Sequence, residues 1–253
     1  MTSLEPSNVV QLAELLAMAR RGGPKVPLAA GKGLTREQAF AVQSRLIAEF
    51  GPVGGFKVAC PPDAPIVIAP IFAKDIAQSP ARFAVPPGES VGIELEYAYR
   101  LTSPLPAATA PDFKDHLRSS VELLPVIELV QSRLEDPASA DPILKMADNQ
   151  LNGALVLGTP FAAGAPFDTS RASGHLKAGD EVLLDGVAKV PGGDAFETLY
   201  KLAIAIGEHC GGLQVGQVVI TGSLNGLPWV LPEKQVHGHI DGLGDVSLLL
   251  TAE

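Results

Sequence analysis

The sequence predicts an α+β fold in which a helical start precedes a middle and an end rich in strands. Apolar residues recur at helical spacing over residues 7–21, and a second helical pattern covers residues 33–51. After that point the apolar runs become short or alternating and are separated by Pro and Gly, as is typical of strands. Regular βαβ units are few, which favours an α+β fold. We therefore expect a helical segment over residues 1–50 and a β-rich domain over residues 51–253.

Two helices have clear terminal signals. In the second helix Thr35 and Gln38 have the spacing of a capping box. A later helix is predicted to begin after Asp194 and to end at Gly211. His209, near the predicted C-terminal end, is interpreted as interacting with the helix dipole.

The predicted strands are short apolar or alternating segments. A helix is predicted over residues 112–124, and Pro125 is predicted to begin the strand that follows it. The other strand segments are FKVA, IVIAPIF, ARFAVP, GIELEYAYRL, GALVLGTP, EVLLDGVAKV, VGQVVITGSL and DGLGDVSLLLTA.

Composition excludes several classes of partner. The chain of 253 residues carries a net charge of -9 and no basic stripe, so nucleic acid is not an expected partner. Cys60 and Cys210 are its two cysteines, which suggests a reducing compartment without a disulfide framework. The N-terminal segment carries Glu5 and lacks a basic region before its apolar part, and the apolar run over residues 154–167 is broken by Gly and Pro. We expect a cytoplasmic protein without a membrane partner.

Three carboxylates stand in apolar strand segments. Glu94 and Glu96 lie two residues apart in the alternating segment 91–101, so they share one face at a spacing of ~6.6 Å. Such a pair faces either water or a cation, and the spacing alone leaves both open. Glu128 lies between Ile127 and Leu129, where an unpaired carboxylate is costly to bury. Three oxygen donors of this kind are a ligand set for Mg²⁺ or Mn²⁺ rather than Zn²⁺.

Four segments, in their order and spacing, resemble the fumarylacetoacetate hydrolase superfamily. They are GIELEYAY, LLPVIELVQSRL, ADNQLNGALVLG and VGQVVITGSL. Within the superfamily they are similar to the 2-oxopent-4-enoate hydratases and 4-oxalocrotonate decarboxylases of aromatic meta-cleavage pathways. The early LTREQAFAVQ is also similar to that subgroup, so the resemblance covers about residues 33–250.

The resemblance implies a β-rich roll of the fumarylacetoacetase C-terminal type and a homo-oligomeric assembly. It implies a divalent cation, Mg²⁺ or Mn²⁺, held by Glu94, Glu96 and Glu128. Lys57, in the segment GFKVA, matches a lysine that lies near the substrate in that superfamily. We expect Lys57 to be the catalytic acid or base, with a pKa lowered by the metal and by partial burial.

Further residues are expected to bind substrate by the same resemblance. Asp148 and Asn149 match a pocket segment, although a polar turn would explain them equally well. Ser223 ends a strand at a pocket-lining turn, where a plain turn is nearly as good an explanation. Lys74 stands where relatives often have an acidic residue, and Asp75 follows it directly, so we expect Asp75 to take that place.

The implied substrate is a 2-oxo or 2-hydroxydienoic acid. A metal-bound 2-hydroxypenta-2,4-dienoate would add water to give 4-hydroxy-2-oxopentanoate. The alternatives are decarboxylation of a 4-oxalocrotonate-type acid, hydrolysis of an acylpyruvate with His116 or Glu122 as base, and a catalytically silent subunit that associates with a related decarboxylase. Asp194 and Ala195 replace the His-Pro pair that is typical of relatives, which leaves the natural substrate open.

Overall fold

The computed structural model describes residues 7–161 and 167–253. Within these residues the helices are α1 (Ser7–Arg20), α2 (Arg36–Phe50), α3 (Phe113–Ser119), α4 (Pro142–Ala147) and α5 (Ala195–Ala205). The strands are β1 (Val53–Ala59), β2 (Val67–Phe72), β3 (Ile76–Gln78), β4 (Ala81–Val85), β5 (Val91–Leu101), β6 (Val121–Val130), β7 (Asn152–Leu157), β8 (Ala172–Ala178), β9 (Glu181–Ala188), β10 (Val218–Ser223), β11 (Trp229–Val230), β12 (Lys234–Ile240) and β13 (Gly244–Ala252). Glu5 and part of the apolar run over residues 154–167 lie outside the described residues.

The α+β class is confirmed, and α2 has the predicted capping box. The Thr35 side chain accepts from the backbone N–H of Gln38, and the Gln38 side chain accepts in return from the N–H of Thr35. Asp194 is the N-cap of α5 and accepts from the backbone N–H of Phe196 at 2.7 Å. This helix ends at Ala205 instead of continuing to residue 211, because a separate 3₁₀ turn follows it. The sequence pattern merged the two.

Two predicted boundaries near β6 are wrong. The helix predicted over residues 112–124 ends at Ser119, because its last residues belong to the strand. The strand begins at Val121, so Pro125 lies inside it instead of starting it. The strand tolerates proline at this position because β7 ends at Leu157, opposite Val126. The Pro125 nitrogen, which cannot donate a hydrogen bond, therefore faces no residue of β7. The Gly158 N–H donates to the Pro125 carbonyl at 2.9 Å. The short helix α4 was not predicted at all.

The first sheet curls into a roll. Its strands follow the order β2-β1-β10-β5-β6-β7-β3, and β11 pairs with the start of β5. β2 and β3 therefore occupy opposite edges, yet only the 3₁₀ turn Ala73–Asp75 separates them in the chain. Because so short a connection cannot cross a flat sheet, the two edges must approach each other. The sheet therefore closes into the predicted roll.

The interior of the roll has its own apolar cluster, and a second sheet covers the outside. The interior cluster is Ile71, Ala98, Leu124, Val126, Leu155, Leu157, Val218 and Ile220. The second sheet has the order β4-β13-β12-β8-β9. It packs against the outward residues of β5 and β6 in one shared core.

The N-terminal helices form a separate layer with α4. Buried residues of α1, α2 and α4 share one apolar cluster with Phe72, Val130 and Leu134 of the β-rich part. The division into residues 1–50 and 51–253 stays a prediction. None of the helices in the described part of the chain is long and apolar enough to cross a membrane.

Candidate active site and metal centre

Three carboxylates meet inside the roll at one of its ends. Glu94 of β5 lies directly opposite Glu128 of β6, and Glu96 lies two residues further along β5. One oxygen from each lies within 4.8 Å of the others. The exposed fractions are 8% for Glu94 and 0% for Glu96 and Glu128. We call these residues the acidic triad, and their burial rejects the solvated strand face that the spacing had left open.

The register of the sheet explains why the triad points inward. Directly paired residues of neighbouring strands point to the same face. Glu96 is paired with Val126, which belongs to the interior cluster, and Glu94 is paired with Glu128. The alternate residues Ile93, Leu95 and Ile127 belong to the core between the sheets. Both faces of β5 are therefore covered, which the alternating sequence did not reveal.

Lys57 brings a positive charge to the triad from β1. Its Nζ lies 3.1 Å from Oε2 of Glu94 and 2.7 Å from Oε2 of Glu128. Burial lowers the pKa of Lys57, but the three carboxylates more than reverse this, so its net pKa is raised. The expected lowering of this pKa supposes a bound cation beside Lys57, and it stays a prediction. Lys57 is an ammonium group that can donate a proton.

Two further groups hold the triad carboxylates. Asn152, at the start of β7, donates from Nδ2 to Oε1 of Glu128 at 2.8 Å. The backbone N–H of Gly222 donates to Oε2 of Glu96 at 2.6 Å. Gly222 lies in an irregularity of the β10–β5 ladder and has a φ of +111°, a conformation that glycine adopts readily. Together with Lys57, these groups support the triad from β1, β7 and β10.

The residues present fit a divalent cation. Among the described residues, the buried Oε1 of Glu96 has no hydrogen-bond partner. Burial, together with Glu128 and Glu94, raises the pKa of Glu96 well above its usual range. Burial raises the pKa of Glu128 to about 7 even though Lys57 opposes this. Three carboxylates and one ammonium leave two excess negative charges, which a dication with hard oxygen ligands would neutralise. Mg²⁺, Mn²⁺ or Ca²⁺ meets this description.

Comparison with known proteins agrees with this geometry. The chain is 32% identical over 138 residues to 2-keto-4-pentenoate hydratase 2 of Dechloromonas aromatica (strain RCB), which is 54% of this chain and 52% of the relative. The hydratase 1 of the same organism is 31% identical over the same length. The chain thus matches about half the length of these curated relatives. No protein-family model matches the sequence.

Solved structures extend the likeness to nearly the whole chain. The 4-oxalocrotonate decarboxylase from Pseudomonas putida G7, solved with magnesium and adipate, has a TM-score of 0.79 over 98% of both chains at 18% identity. The resemblance to the fumarylacetoacetate hydrolase superfamily is confirmed. The fumarylpyruvate hydrolase from Pseudomonas aeruginosa, solved with Mn²⁺ and pyruvate, has a TM-score of 0.58 over 81% of this chain and 91% of its own at 15% identity. The predicted roll of this superfamily's type is therefore also confirmed.

Asp148 is engaged in a buried ion pair. Its Oδ1 accepts from Nε of Arg133 at 2.6 Å, and its Oδ2 accepts from the Arg133 backbone N–H at 3.1 Å. Arg133 also donates to the backbone oxygen of Asn152 at 2.9 Å. The structure therefore places the Asp148 carboxylate on Arg133, and the pair fixes the start of β7, where Asn152 holds Glu128. Sequence reasoning did not single out Asn152.

Asn149 has the features of a ligand-binding residue. It is 1% exposed, and both atoms of its side-chain amide lack a hydrogen-bond partner among the described residues. Asn149, Gln150 and Leu151 have φ values of 49°, 51° and 62°. A run of such left-handed residues is strained outside glycine, and strain of this kind clusters at functional sites.

Asp75 and Ser223 are held by other partners. Asp75 lies 2.7 Å from Nζ of Lys74 and 3.5 Å from Nη1 of Arg20, beside a polar cavity of about 410 Å³. The structure does not bring it to the triad. Ser223 is paired in register with Glu96, but its hydroxyl donates to the backbone oxygen of Gly226 at 2.6 Å. It stabilises the turn beside the triad.

Proposed function

We propose that this protein is a divalent-metal-dependent hydro-lyase that converts 2-hydroxypenta-2,4-dienoate (2-oxopent-4-enoate) into 4-hydroxy-2-oxopentanoate during the breakdown of aromatic compounds. The observation that carries the proposal is the buried acidic triad with the Lys57 ammonium against it. The sequence likeness to two 2-keto-4-pentenoate hydratases supports the choice of hydration.

The substrate would bind at the end of the roll where the triad lies. A dication held by Glu94, Glu96 and Glu128 would act as a Lewis acid toward the substrate carboxylate and its 2-oxygen. The buried amide of Asn149 can donate to or accept from a bound oxygen, since it has no partner in the described structure. We assign Asn149 to substrate binding and Asp148 to positioning the strand that carries Asn152.

Lys57 would supply the protons. Hydration first requires a proton at C5 of the dienol, which forms the α,β-unsaturated ketone, and then a proton at C3 as water adds at C4. The Lys57 ammonium group lies against two of the triad carboxylates, where it could donate the proton of the first transfer. Its place between Glu94 and Glu128 holds the ammonium beside the bound acid.

Acylpyruvate hydrolysis has less support, because it needs a base for the attacking water. His116 lies 2.8 Å from Asp112 on the surface helix α3, and Glu122 forms an ion pair with Arg100. Both are engaged away from the triad. Decarboxylation uses the same metal chemistry as hydration, so the product has to separate the two.

The deciding experiment follows the ultraviolet absorbance of freshly generated 2-hydroxypenta-2,4-dienoate with Mg²⁺ and then with EDTA. We expect rapid decay with Mg²⁺, formation of 4-hydroxy-2-oxopentanoate, and loss of activity in Glu96→Gln. The matched control Glu122→Gln, on the same sheet but outside the triad, should keep activity. Absence of decay in the metal-loaded protein would reject the hydratase and leave decarboxylation of a 4-oxalocrotonate-type acid to be measured as CO₂ release.

The assembly is also a prediction. The superfamily resemblance suggests a homo-oligomer and allows an association with a related decarboxylase. Light scattering of the purified protein, alone and mixed with such a decarboxylase, measures both.

A further inference from the structure

The strand that carries Glu94 loses its neighbour beside the acidic triad. β10 pairs with β5 as far as Ser223, which lies opposite Glu96, and β11 pairs with β5 again from Gly92. Within the described part of the chain, no strand therefore pairs with residues 93–95 of β5 on this side. The other side of this stretch is paired with β6. Buried backbone groups at such a gap need other partners.

The side chain of Asn225 fills this gap. Its Oδ1 accepts from the backbone N–H of Leu95 at 2.8 Å, and its Nδ2 donates to the backbone oxygen of Ile93 at 2.9 Å. The amide thus takes the place of a residue in a neighbouring strand, which would present one donor and one acceptor to the same edge. Since Ile93 and Leu95 are fully buried, their backbone groups depend on Asn225 for these two bonds.

Asn225 belongs to a turn that is itself held by hydrogen bonds. Its backbone N–H donates to the Ser223 hydroxyl at 3.2 Å. Gly222, at the start of this turn, donates from its N–H to Glu96. One turn therefore fixes two triad residues, because it holds Glu96 at the carboxylate and Glu94 through the backbone on both sides of it.

Glu94 depends on its backbone more than the other two triad residues do. Each of the other carboxylates accepts from an amide group, whereas no amide among the described residues donates to the side chain of Glu94. Its hydrogen-bond donor is Lys57, whose Nζ lies 3.1 Å away on a flexible four-carbon stem. The backbone of residues 93–95 therefore has the larger share in placing this carboxylate.

We propose that Asn225 is a positioning residue that fixes Glu94 in the triad and so sets the preference of the site for Mg²⁺ over Ca²⁺. This inference rests on the proposed function, because it takes a dication to be held by the triad. Mg²⁺ is small and requires nearly ideal octahedral geometry, whereas Ca²⁺ accepts longer and more variable contacts. Three fixed carboxylates favour the smaller ion. If the backbone at Glu94 loosens, Mg²⁺ binding suffers more than Ca²⁺ binding does.

The test is calorimetric titration of the metal-free protein with Mg²⁺ and, separately, with Ca²⁺. Asn225→Ala removes both bonds to β5, so we expect Mg²⁺ binding to weaken about tenfold and Ca²⁺ binding by less than about threefold. The matched control is Gln217→Ala, at the other end of β10. The side-chain amide of Gln217 also donates one bond to the backbone and accepts one, with Val53 and Gln214 as partners. This control should lower the urea midpoint similarly, yet change either affinity by less than about twofold.

Asn225→Asp is a second variant that disturbs the fold less. It keeps the acceptor for the Leu95 N–H and loses the donor to the Ile93 oxygen. Its added negative charge attracts both dications, so the ratio of the two affinities still reports the position of Glu94. We expect the ratio of Mg²⁺ to Ca²⁺ affinity to fall by about threefold.

The outcomes separate this inference from the proposed function. A ratio that stays unchanged in both Asn225 variants would overturn the positioning role and leave the metal site intact. An equal fall of the ratio in Gln217→Ala would trace the effect to a general loss of stability and would also overturn the inference. Failure of the unaltered protein to bind either cation would overturn the inference together with the metal dependence of the proposed function. An unaltered protein that binds both cations and shows the expected changes of ratio in its variants, but does not hydrate the dienol, would confirm the inference and reject the hydration.

Discussion

Replacing Glu96 with Gln should have opposite effects on metal binding and on the stability of the metal-free protein. Gln keeps the shape of the side chain, and its amide oxygen can still accept from the N–H of Gly222. The substitution removes one of three anionic ligands, so we expect Mn²⁺ binding to weaken at least about a hundredfold. Without metal it removes a negative charge that burial and the neighbouring carboxylates oppose, so the metal-free protein should become more stable.

The distances give the size of this stabilisation. The triad oxygens lie within 4.8 Å of one another, so at an effective dielectric constant of about 20 each pair of like charges repels by about 3.5 kcal/mol or more. Glu96 takes part in two such repulsions, about 7 kcal/mol together, by the same relation. Lys57 Nζ lies more than 4.0 Å from Glu96, since it forms ion pairs with Glu94 and Glu128 instead. The attraction of Lys57 for Glu96 therefore offsets at most about 4 kcal/mol of this repulsion. Neutralising Glu96 should then raise the free energy of unfolding by about 3 kcal/mol.

The sign and pH range follow from the raised pKa of Glu96. A carboxyl whose pKa is higher in the folded state binds more protons folded than unfolded, so its ionisation destabilises the fold as pH rises above the unfolded value of 4.5. Below that value the carboxyl is protonated in both states, and Glu96→Gln should have the stability of the unaltered protein. The difference should grow with pH above it.

Urea unfolding in EDTA at pH 4 and pH 8, with calorimetric Mn²⁺ titration, measures both effects. Glu122→Gln is the matched control, because Glu122 lies in the same sheet, forms a surface ion pair with Arg100, and should change stability by less than about 1 kcal/mol without affecting the metal. The reasoning is refuted if Glu96→Gln at pH 8 in EDTA is no more stable than the unaltered protein. It is refuted equally if the variant binds Mn²⁺ as tightly.

Four further outcomes are expected. Mn²⁺ affinity should rise with pH through pH 7, because burial raises the pKa of Glu128 to about 7 and its proton must leave; an affinity constant between pH 5.5 and 8 would contradict this. Asn152→Ala should weaken Mn²⁺ binding by about 10–100-fold by removing the donor to Glu128, and a change under twofold would refute that role. Asp148→Asn should lower the free energy of unfolding by about 3–5 kcal/mol because it leaves Arg133 buried and unpaired, and urea unfolding within 1 kcal/mol of the unaltered protein would exclude this. Burial and Arg36 lower the pKa of His209 to about 4, whereas its value in the unfolded chain is 6.5. The folded protein therefore binds fewer protons at His209, and the free energy of unfolding falls as pH drops from 6.5 to 4. The loss is about 1–2 kcal/mol after discounting for partial exposure, and His209→Gln should remove it in unfolding curves.

The acidic triad could be predicted because its signal is local. Glu94 and Glu96 share one alternating strand, and Glu128 interrupts an apolar run, so each violates the expected pattern within a few residues. A buried charge in a strand is costly without a partner, and three buried carboxylates suggest that they share one cation. The sequence could not show that Glu94 and Glu128 face each other directly, since register depends on the pairing of the whole β5–β6 ladder.

The contacts of Asp148 and Asp75 depend on pairing between distant parts of the chain. Arg133 and Asp148 are fifteen residues apart and meet because β6 and β7 are adjacent. Asp75 is drawn to Arg20 of α1, fifty-five residues away in the chain. The position of a polar residue near a predicted pocket therefore does not determine which partner its side chain contacts. His209 shows the same limit, because its interpretation as a partner of the helix dipole needs a charged ring. The fold instead keeps it neutral, 2.7 Å from the Gln43 side-chain oxygen.

The choice between reactions cannot come from the triad. Hydration and decarboxylation both need the substrate carboxylate and 2-oxygen held at one cation, and Glu94, Glu96 and Glu128 satisfy either. What differs is the far end of the substrate, where a monocarboxylate presents carbon and hydrogen and a dicarboxylate presents charge. Asp194, where the sequence departs from the His-Pro start expected from the resemblance, fixes the turn before α5 through its bonds to Thr169 and Phe196. We expect substrate preference to change with substitutions in this turn, because it lies outside the triad, while metal affinity does not change.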